Sequence, residues 1–224
     1  TPVHHAPTVA ATPTDPTPAW PPLLPPSYVS SRSPARKRIV DGVGLAAWRA
    51  SPSYAAFIAF VLHLNASVKG VRTAAVEGGD DDQGGAAPPP PLSRGAAALV
   101  AALATLSSLV DSIPPAAAAL RYGNPAFRAW HAAAVEASPG LLRSILPPGA
   151  PPGLEAELAP YLADSLGNAA RIDYGTGHEA AFAALLFCLA RVPGALEPED
   201  AAGLVTVVFA AYVRLMRKVQ TTYW

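Results

Sequence analysis

Apolar residues recur at helical spacing over most of the chain, and the runs end at prolines or glycines. Apolar residues three and four positions apart share one face of a helix, whereas a half-buried strand alternates apolar and polar residues. The run 205–209 alone resembles a strand, and it lies inside a longer helical pattern. We therefore predict an all-α fold. The predicted helices lie within 41–70 and at 96–113, 124–138, 153–166, 179–191 and 198–221.

The ends of several helices can be predicted from capping residues and prolines. Asp41 suits the N-cap of a short helix, and Ser51 followed by Pro52 suits the start of the next one. The prolines of 141–153 predict a short, broken helical turn there. The run 179–191 is almost entirely apolar, so we expect this helix to be central and buried.

Two stretches have compositions that do not support regular structure. Residues 1–35 are rich in Pro, Thr and Ser, which predicts an extended or disordered tail. Removal of residues 1–34 is expected to change neither fold nor activity. Residues 76–95 combine glycine pairs, an aspartate triplet and a proline run, which predicts a low-complexity insert. Residues 36–224 would then form one helical domain. Its basic start, 36–38, is interpreted as a solvated charge run rather than a nuclear-localisation signal.

Composition excludes several classes of function. The 16 basic and 16 acidic residues cancel, which argues against nucleic-acid binding through phosphate neutralisation. Cys188 is the single cysteine, so a disulfide framework and a multi-cysteine zinc site are excluded, and we interpret it as a buried apolar residue. The apolar runs that we count fall short of the roughly 18–20 residues of a membrane span, so no membrane partner is expected.

His4, His5 and the triplet 80–82 lack the spacing of a metal site, so we predict no metal ligands.

The segment 171–179, RIDYGTGHE, concentrates polar and reactive side chains. It holds two acids, an arginine, a tyrosine, a histidine and two glycines at the start of an apolar helix. Glycines let a ligand approach the backbone, and amides at a helix start suit a phosphate. The segment is not a P-loop, because no Gly-Lys-Ser/Thr follows, and Phe182 stands where a zinc-protease helix needs its second histidine. A structural alternative stays open, in which Asp173 caps a turn, Arg171 pairs with an acid and His178 fills a polar niche.

The stretch RIDYGTGHEAAF at 171–182 resembles the signature of the phosphotyrosyl phosphatase activator family, the activators of serine/threonine protein phosphatase 2A. Three further blocks resemble the family in the same order: SPSYAAFIAFVLHLNASVKG at 51–70, RYGNPAFRAWH at 121–131 and YVRLMRKVQTTYW at 212–224. The resemblance covers about residues 36–224 and ends before two stretches that carry the family's magnesium residues. The chain is therefore similar to roughly the first two-thirds of a family member.

This resemblance implies an all-α fold with core, linker and lid subdomains. It also implies that the chain binds ATP and Mg²⁺ together with the phosphatase 2A catalytic subunit and its scaffold subunit. The implied activity is peptidyl-prolyl cis/trans isomerisation of proline-containing peptides, and the implied location is the cytoplasm or the nucleus. The family's nucleotide contacts correspond to Arg171, Gly175, Thr176 and Gly177. The adjoining groove, which is the implied catalytic set, corresponds to Asp173, Tyr174, His178 and Glu179.

Isomerisation of an X–Pro bond has a barrier of about 18–20 kcal/mol. It needs no nucleophile, only a site that favours the twisted amide over both planar forms. An apolar groove with a few polar groups can supply this, with Tyr174 or Trp130 on the substrate proline, although core packing is the preferred interpretation for Trp130. A non-catalytic helical scaffold or chaperone for the phosphatase is one alternative. An inactive, truncated chain is another.

Overall fold

The computed structural model describes residues 17–70, 90–117 and 123–224. Within these ranges the regular elements are helices, and the one β-type pairing is an isolated bridge between Asn168 and Asp173. The all-α prediction is confirmed. The first six helices are α1 (Gly42–Arg49), α2 (Pro52–Ser67), α3 (Arg94–Ser112), α4 (Ala126–Ile145), α5 (Leu154–Ser165) and α6 (Thr176–Ala190). The last helix, α7, follows a 3-10 turn (Pro198–Asp200) and runs through three segments: Ala201–Gly203, the π-helical Leu204–Phe209, and Ala210–Tyr223.

Side-chain caps start the first two helices as predicted. The Asp41 carboxylate accepts a hydrogen bond from the Gly44 amide at 2.7 Å, and the Ser51 hydroxyl accepts one from the Tyr54 amide at 3.1 Å. Each cap satisfies one of the amides that lack a partner in the first turn. Local chemistry alone therefore positions both starts.

Helix α3 begins earlier than we predicted, because Ser93 is its N-cap. Residues 94 and 95 are thus helical and do not belong to the low-complexity insert predicted for 76–95. A Cβ on Gly95 would meet the carbonyl oxygen of Ala195 at 1.7 Å, so the helix packs there only because this residue is glycine. Residues 76–89 of the predicted insert lie outside the described residues.

Helix α4 continues through Pro139 and ends at Ile145, although we predicted its end at residue 138. A proline inside a helix removes one backbone hydrogen bond and crowds the preceding turn. The buried face nonetheless continues across it, from Ser138 to Leu142. Burial of this face outweighs the local penalty, so the predicted break after residue 138 is wrong.

The core lies where consecutive helices α3 to α6 pack side by side and α7 returns against α3. Its largest side chains include Trp130, Phe182 and Tyr212, each 0% exposed. Trp130 donates its indole N–H to the Leu106 carbonyl at 3.2 Å, which satisfies the polar atom of this buried ring. The predictions that α6 contributes to the core and that Trp130 is a core residue are confirmed.

Helix α3 is, by length and composition, apolar enough to cross a bilayer, which our count of apolar runs did not predict. Thr105 and Ser108 divide the run without making the helix polar. Among the other described helices only α1 and α2 taken together meet the same criteria, and they are bent by 67°. In this structure Leu99, Leu103 and Leu106 form the buried face of α3 in the core.

Residues 17–35, here called the N-terminal arm, lie against the helices in an irregular, largely extended conformation. Two backbone hydrogen bonds fix the arm. The Ala19 amide donates to the Ala59 carbonyl at 3.1 Å, and the Leu24 amide donates to the Arg191 carbonyl at 2.7 Å. The arm therefore bridges α2 and the end of α6.

Aromatic side chains anchor the arm more firmly than its composition indicated. Trp20 meets Phe60 edge to face, with ring centroids 5.5 Å apart, and the Tyr28 hydroxyl donates to Glu157 at 2.6 Å. Of the two predicted states, extended or disordered, the arm adopts the extended one: its prolines supply an extended backbone while its large rings bury apolar surface. Residues 1–16 of the predicted tail lie outside the described residues.

Candidate functional site

The segment between α5 and α6, residues 167–175, is a closed polar loop. Asn168 organises it, because its side-chain oxygen accepts hydrogen bonds from the Ala170 and Arg171 amides, both at 3.0 Å. The Asn168 amide donates to the Asp173 carbonyl at 2.9 Å and closes the loop. The polar loop therefore has a defined backbone before any ligand is considered.

Two residues of the polar loop have positive φ. Gly167 lies at +101°, where a Cβ would meet the Asp173 carbonyl at 2.9 Å. Ile172 lies at +53°, a region that β-branched residues rarely enter and that costs on the order of 1–3 kcal/mol. The Ile172 amide donates to the Asn168 carbonyl at 2.8 Å and holds this conformation. The strained residue separates Arg171 from Asp173, whose side chains meet.

Arg128 of α4 clamps the polar loop from a different helix. Its Nε donates to the Ala169 carbonyl at 3.0 Å, and its Nη2 donates to the Ala170 carbonyl at 3.3 Å. One planar guanidinium thus satisfies two consecutive carbonyls just before Arg171. Sequence analysis did not single out Arg128, and the available signal was its position within the block 121–131.

Arg171 and Asp173 form a two-point ion pair at the rim of the loop. Arg171 donates from Nε to Oδ2 at 2.5 Å and from Nη2 to Oδ1 at 3.2 Å. The side chains are 66% and 45% exposed. The hydrogen bond from Arg171 lowers the pKa of Asp173, which is a carboxylate at neutral pH. The pairing of Arg171 with an acid, expected in the structural alternative, is present, and the outer edge of the guanidinium keeps further N–H donors.

The Tyr174 hydroxyl is directed into the core. It donates to the Tyr212 hydroxyl at 3.0 Å, and Tyr212 donates to the Ser165 carbonyl at 2.7 Å. A carbonyl oxygen only accepts hydrogen bonds, so the Tyr212 hydroxyl donates its proton to Ser165. Its oxygen therefore accepts the hydrogen bond from Tyr174. Burial raises the pKa of Tyr174 to about 12, so it remains a donor at neutral pH. Sequence analysis missed Tyr212 as a supporting residue, although it opens the block 212–224.

His178 is held by one ring nitrogen and by the stacking of its ring. Its Nδ1 lies 2.5 Å from the Asp164 carbonyl oxygen, so this nitrogen carries the proton and donates. Its Nε2 lies 3.9 Å from Asp173 Oδ1, and its ring stacks on Tyr174 with centroids 5.6 Å apart.

The Nε2 of His131 is buried and has no hydrogen-bond partner within the described ranges, and burial lowers the pKa of this imidazole.

Helix α6 begins at Thr176, earlier than the predicted residue 179, so the Thr-Gly-His-Glu sequence forms its first turn. Gly175 is the N-cap, and no side chain caps the helix. Apart from the adjoining backbone, no heavy atom lies within 4 Å of the position that a Cβ on Gly175 or Gly177 would take. The space in front of this first turn is therefore open. The carboxylate of Glu179 lies 3.4 Å from the Tyr174 hydroxyl.

The structure brings the predicted site residues together. Contacts join five of them in one series: Arg171, Asp173, His178, Tyr174 and Glu179. The other three are exposed on the adjoining turn: Gly175, Thr176 and Gly177. Trp224 was not predicted, yet it is 40% exposed and its ring lies 6.4 Å from that of Tyr174. Trp224 therefore adds aromatic surface to the site.

Fold and site together define a helical domain that presents a polar, glycine-bounded loop at the start of a buried helix. Over residues 35–224 the sequence matches the family described as Phosphotyrosyl phosphate activator (PTPA) protein. The chain belongs to this family. The resemblance inferred from the four sequence blocks is thereby confirmed.

Several relatives carry a common name. The probable serine/threonine-protein phosphatase 2A activator 1 of Dictyostelium discoideum is 39% identical over 54% of this chain and 37% of its own length. Serine/threonine-protein phosphatase 2A activator 2 of Mycosarcoma maydis is 34% identical over 86% of this chain and 40% of its own length. The Drosophila melanogaster activator is 30% identical over 88% of this chain and 46% of its own length. The chain thus spans less than half the length of these relatives.

The fold is similar to a solved structure with the same type of name. The crystal structure of the PP2A phosphatase activator Ypa1 PTPA1 superposes with a TM-score of 0.73 at 26% sequence identity. The match covers 92% of this chain and 61% of that chain. The described helices therefore follow the arrangement of a known phosphatase activator.

Proposed function

We propose that this chain is an activator of serine/threonine-protein phosphatase 2A. The observation that carries the proposal is the family match over residues 35–224, which includes the whole polar loop and the helices on either side of it, α5 and α6. One relative from the fungus Mycosarcoma maydis and one from Drosophila melanogaster bear this activator name. The proposed partner is the phosphatase catalytic subunit together with its scaffold subunit, in the cytoplasm or the nucleus.

ATP is the proposed ligand on the open side of the polar loop. Asp173 occupies one edge of the Arg171 guanidinium, and the other edge keeps N–H groups for phosphate oxygens. The Thr176 hydroxyl and the first-turn amides would add neutral donors at the start of α6. Gly175 and Gly177 leave the backbone of this turn accessible to such a ligand, because neither carries a side chain and both are exposed.

Magnesium is proposed to accompany the nucleotide. Within 17–70, 90–117 and 123–224 no three His, Cys, Asp or Glu side chains converge as metal ligands, so these residues alone do not form a metal site. Mg²⁺ commonly keeps waters and binds substrate phosphates with only one or two carboxylates. When bound, it would neutralise phosphate charge next to Arg171.

The peptidyl-prolyl isomerase activity is proposed for the groove beside the loop. The Tyr174 hydroxyl is bonded inward to Tyr212, so its ring, and not its proton, would face a substrate proline. Trp224 and His178 extend this aromatic surface. Asp173 and Glu179 would accept hydrogen bonds from the peptide on either side of the proline. Such a surface favours the twisted amide by shielding it from water and needs no nucleophile.

Reactivation of the inactive phosphatase 2A catalytic subunit tests the main proposal. Asp173→Ala should reduce ATP-dependent reactivation by the chain while leaving its melting temperature almost unchanged, because Asp173 is exposed and orients Arg171. Asp111→Ala is the matched control, since it removes another exposed carboxylate, paired with Lys218 at 2.7 Å on a different helix pair. Equal losses of reactivation in both variants would contradict a functional role for the loop.

An isomerase assay on a proline peptide, without phosphatase, tests the finer proposal. Acceleration that falls in Asp173→Ala and not in Asp111→Ala would support catalysis by the loop. Phosphatase binding without any acceleration would instead support the scaffold alternative. If both binding and acceleration are absent, the result would support the alternative that this chain is inactive.

A further inference from the structure

A pocket lies away from the polar loop, between the N-terminal arm and the α5–α6 pair. Its volume is about 540 Å³, which falls within the range of small-molecule sites. Cys188 lines this pocket, whereas His178 belongs to the loop site. The two residues are on α6, about 15 Å apart along the helix axis, so the two sites are separate.

Three arginines line the pocket. Arg36 and Arg38 form no ion pair with any side chain in the described part of the chain. Arg191 is held in place, because its Nε donates to the Pro22 carbonyl at 3.1 Å and its guanidinium lies 5.9 Å from the centroid of the Phe187 ring. The pocket therefore combines one fixed cation with two that have no carboxylate partner.

Glu157 is the one acidic residue in the pocket wall. Its carboxylate accepts hydrogen bonds from the Tyr28 hydroxyl at 2.6 Å and the Ser31 amide at 2.5 Å. Burial alone would raise the pKa of Glu157, but these hydrogen bonds outweigh burial and lower it. The carboxylate is thus engaged with the arm. The three guanidinium groups and this one carboxylate together give the pocket wall a net charge of two positive units.

The rest of the wall is mainly apolar. Tyr161 is partly buried, and its hydroxyl makes no hydrogen bond to any residue that the structure describes. Burial raises the pKa of Tyr161, so this hydroxyl is a donor at neutral pH. The apolar contacts come from Leu24, Leu154, Leu158 and Val192. A ligand that fits must therefore combine an anionic group with an apolar body.

We propose that this pocket binds a small organic phosphomonoester. Its dianionic phosphate matches the two surplus positive charges, which a monoanionic carboxylate would match only in part, and guanidinium forks bind phosphate oxygens in pairs. Its apolar body lies against the leucines and Tyr161. The basic cluster 36–38 is exposed, as a solvated charge run would be, and in this proposal it also contributes to the pocket. Lys37 ties it to Asp164 at 2.7 Å, and its two arginines form the anion site.

Calorimetric titration with phenyl phosphate tests the proposal. Phenyl phosphate should bind at one site and more tightly than either of its halves, phenol or inorganic phosphate. Arg36→Gln/Arg38→Gln should weaken binding about tenfold or more, because two charge-assisted contacts are lost. Arg214→Gln/Arg217→Gln removes two exposed arginines of α7 that do not line the pocket, and it should bind like the unaltered chain. Equal affinity in both double variants would overturn the proposal, as would the absence of saturable binding.

The single cysteine provides a second readout that needs no variant. Cys188, which we predicted to be a buried apolar residue, is only partly buried and faces the pocket. Burial raises the pKa of its thiol to about 11, so alkylation is followed at mildly alkaline pH. Phenyl phosphate should slow this alkylation in proportion to occupancy, and unchanged alkylation at saturation would overturn the proposal.

Arg171→Ala separates this pocket from the proposed nucleotide site. Phenyl phosphate affinity should stay the same in Arg171→Ala, because Arg171 lies in the polar loop and does not line the pocket. Loss of binding in Arg171→Ala with retention in Arg36→Gln/Arg38→Gln would place the ligand at the loop and overturn the pocket. Failure of phosphatase reactivation would leave this result unaffected.

Discussion

The Tyr174 hydroxyl donates a hydrogen bond to the Tyr212 hydroxyl at 3.0 Å and so ties the polar loop to the last helix. Tyr212 is 0% exposed and stacks on Phe182 of α6, with ring centroids 4.1 Å apart and an interplanar angle of 3°. The loop is therefore attached to the core through a buried hydroxyl pair. The Arg171–Asp173 pair, in contrast, stays at the exposed rim of the loop.

Replacing Tyr212 with Phe should lower the free energy of unfolding by about 1–3 kcal/mol. The buried Ser165 carbonyl would lose its donor, and Tyr174 would lose its acceptor. Urea denaturation measures the change. Tyr54→Phe is the matched control, because the Tyr54 hydroxyl makes no hydrogen bond within the described ranges, and it should change stability by no more than about 0.5 kcal/mol. A Tyr212→Phe variant as stable as this control would show that the hydroxyl pair contributes nothing.

Replacing Arg128 with Gln should loosen the polar loop. The Ala169 and Ala170 carbonyls would lose their shared donor, so the Ala170 and Arg171 amides should exchange with solvent at least about tenfold faster. Hydrogen exchange measures this directly. Arg128→Lys should recover part of the protection, since an ammonium can satisfy one carbonyl but not both in the same geometry. Arg217→Gln, an exposed arginine of α7, should leave the exchange unchanged, and an equal effect there would indicate a general charge effect.

The N-terminal arm should contribute to stability, contrary to the expectation that removing residues 1–34 has no effect. Trp20→Ala should lower the free energy of unfolding by about 1–3 kcal/mol, because the ring packs on Phe60 and His63. Val29→Ala serves as the control, since Val29 is 81% exposed on the same arm. Thermal unfolding that distinguishes neither variant from the unaltered chain would mean that the arm is not bound in solution.

Stability should fall at alkaline pH because two tyrosines hold their protons more tightly in the folded chain. The hydrogen bond to Glu157 raises the pKa of Tyr28 to about 12, and burial raises that of Tyr174 to about 12, from an ordinary value of 10.0. The folded chain thus holds these protons more tightly than the unfolded chain. Their contribution is complete below pH 10 and is lost as pH rises toward 12. Melting temperature should therefore fall less steeply over this interval in Tyr28→Phe/Tyr174→Phe, and an unchanged slope would contradict the assignment.

Much of the candidate site could be predicted because its residues are neighbours in sequence. The segment 171–179 contains all eight predicted residues, so one loop and one helix turn bring them together. Two residues that hold this segment were missed. Arg128 and Tyr212 come from α4 and α7, and nothing local to either residue indicates which carbonyl or hydroxyl it will reach.

The sequence by itself determined the helical class and the caps at Asp41 and Ser51, because periodicity and capping act within a few residues. Only the tertiary structure decided that α4 passes through Pro139 and that the arm lies on the helices. Those outcomes depend on burial against distant elements, which outweighs local propensity. The same holds for the arginine-lined pocket, whose walls are separated by more than a hundred residues along the chain and exist only once the arm is folded onto α5 and α6.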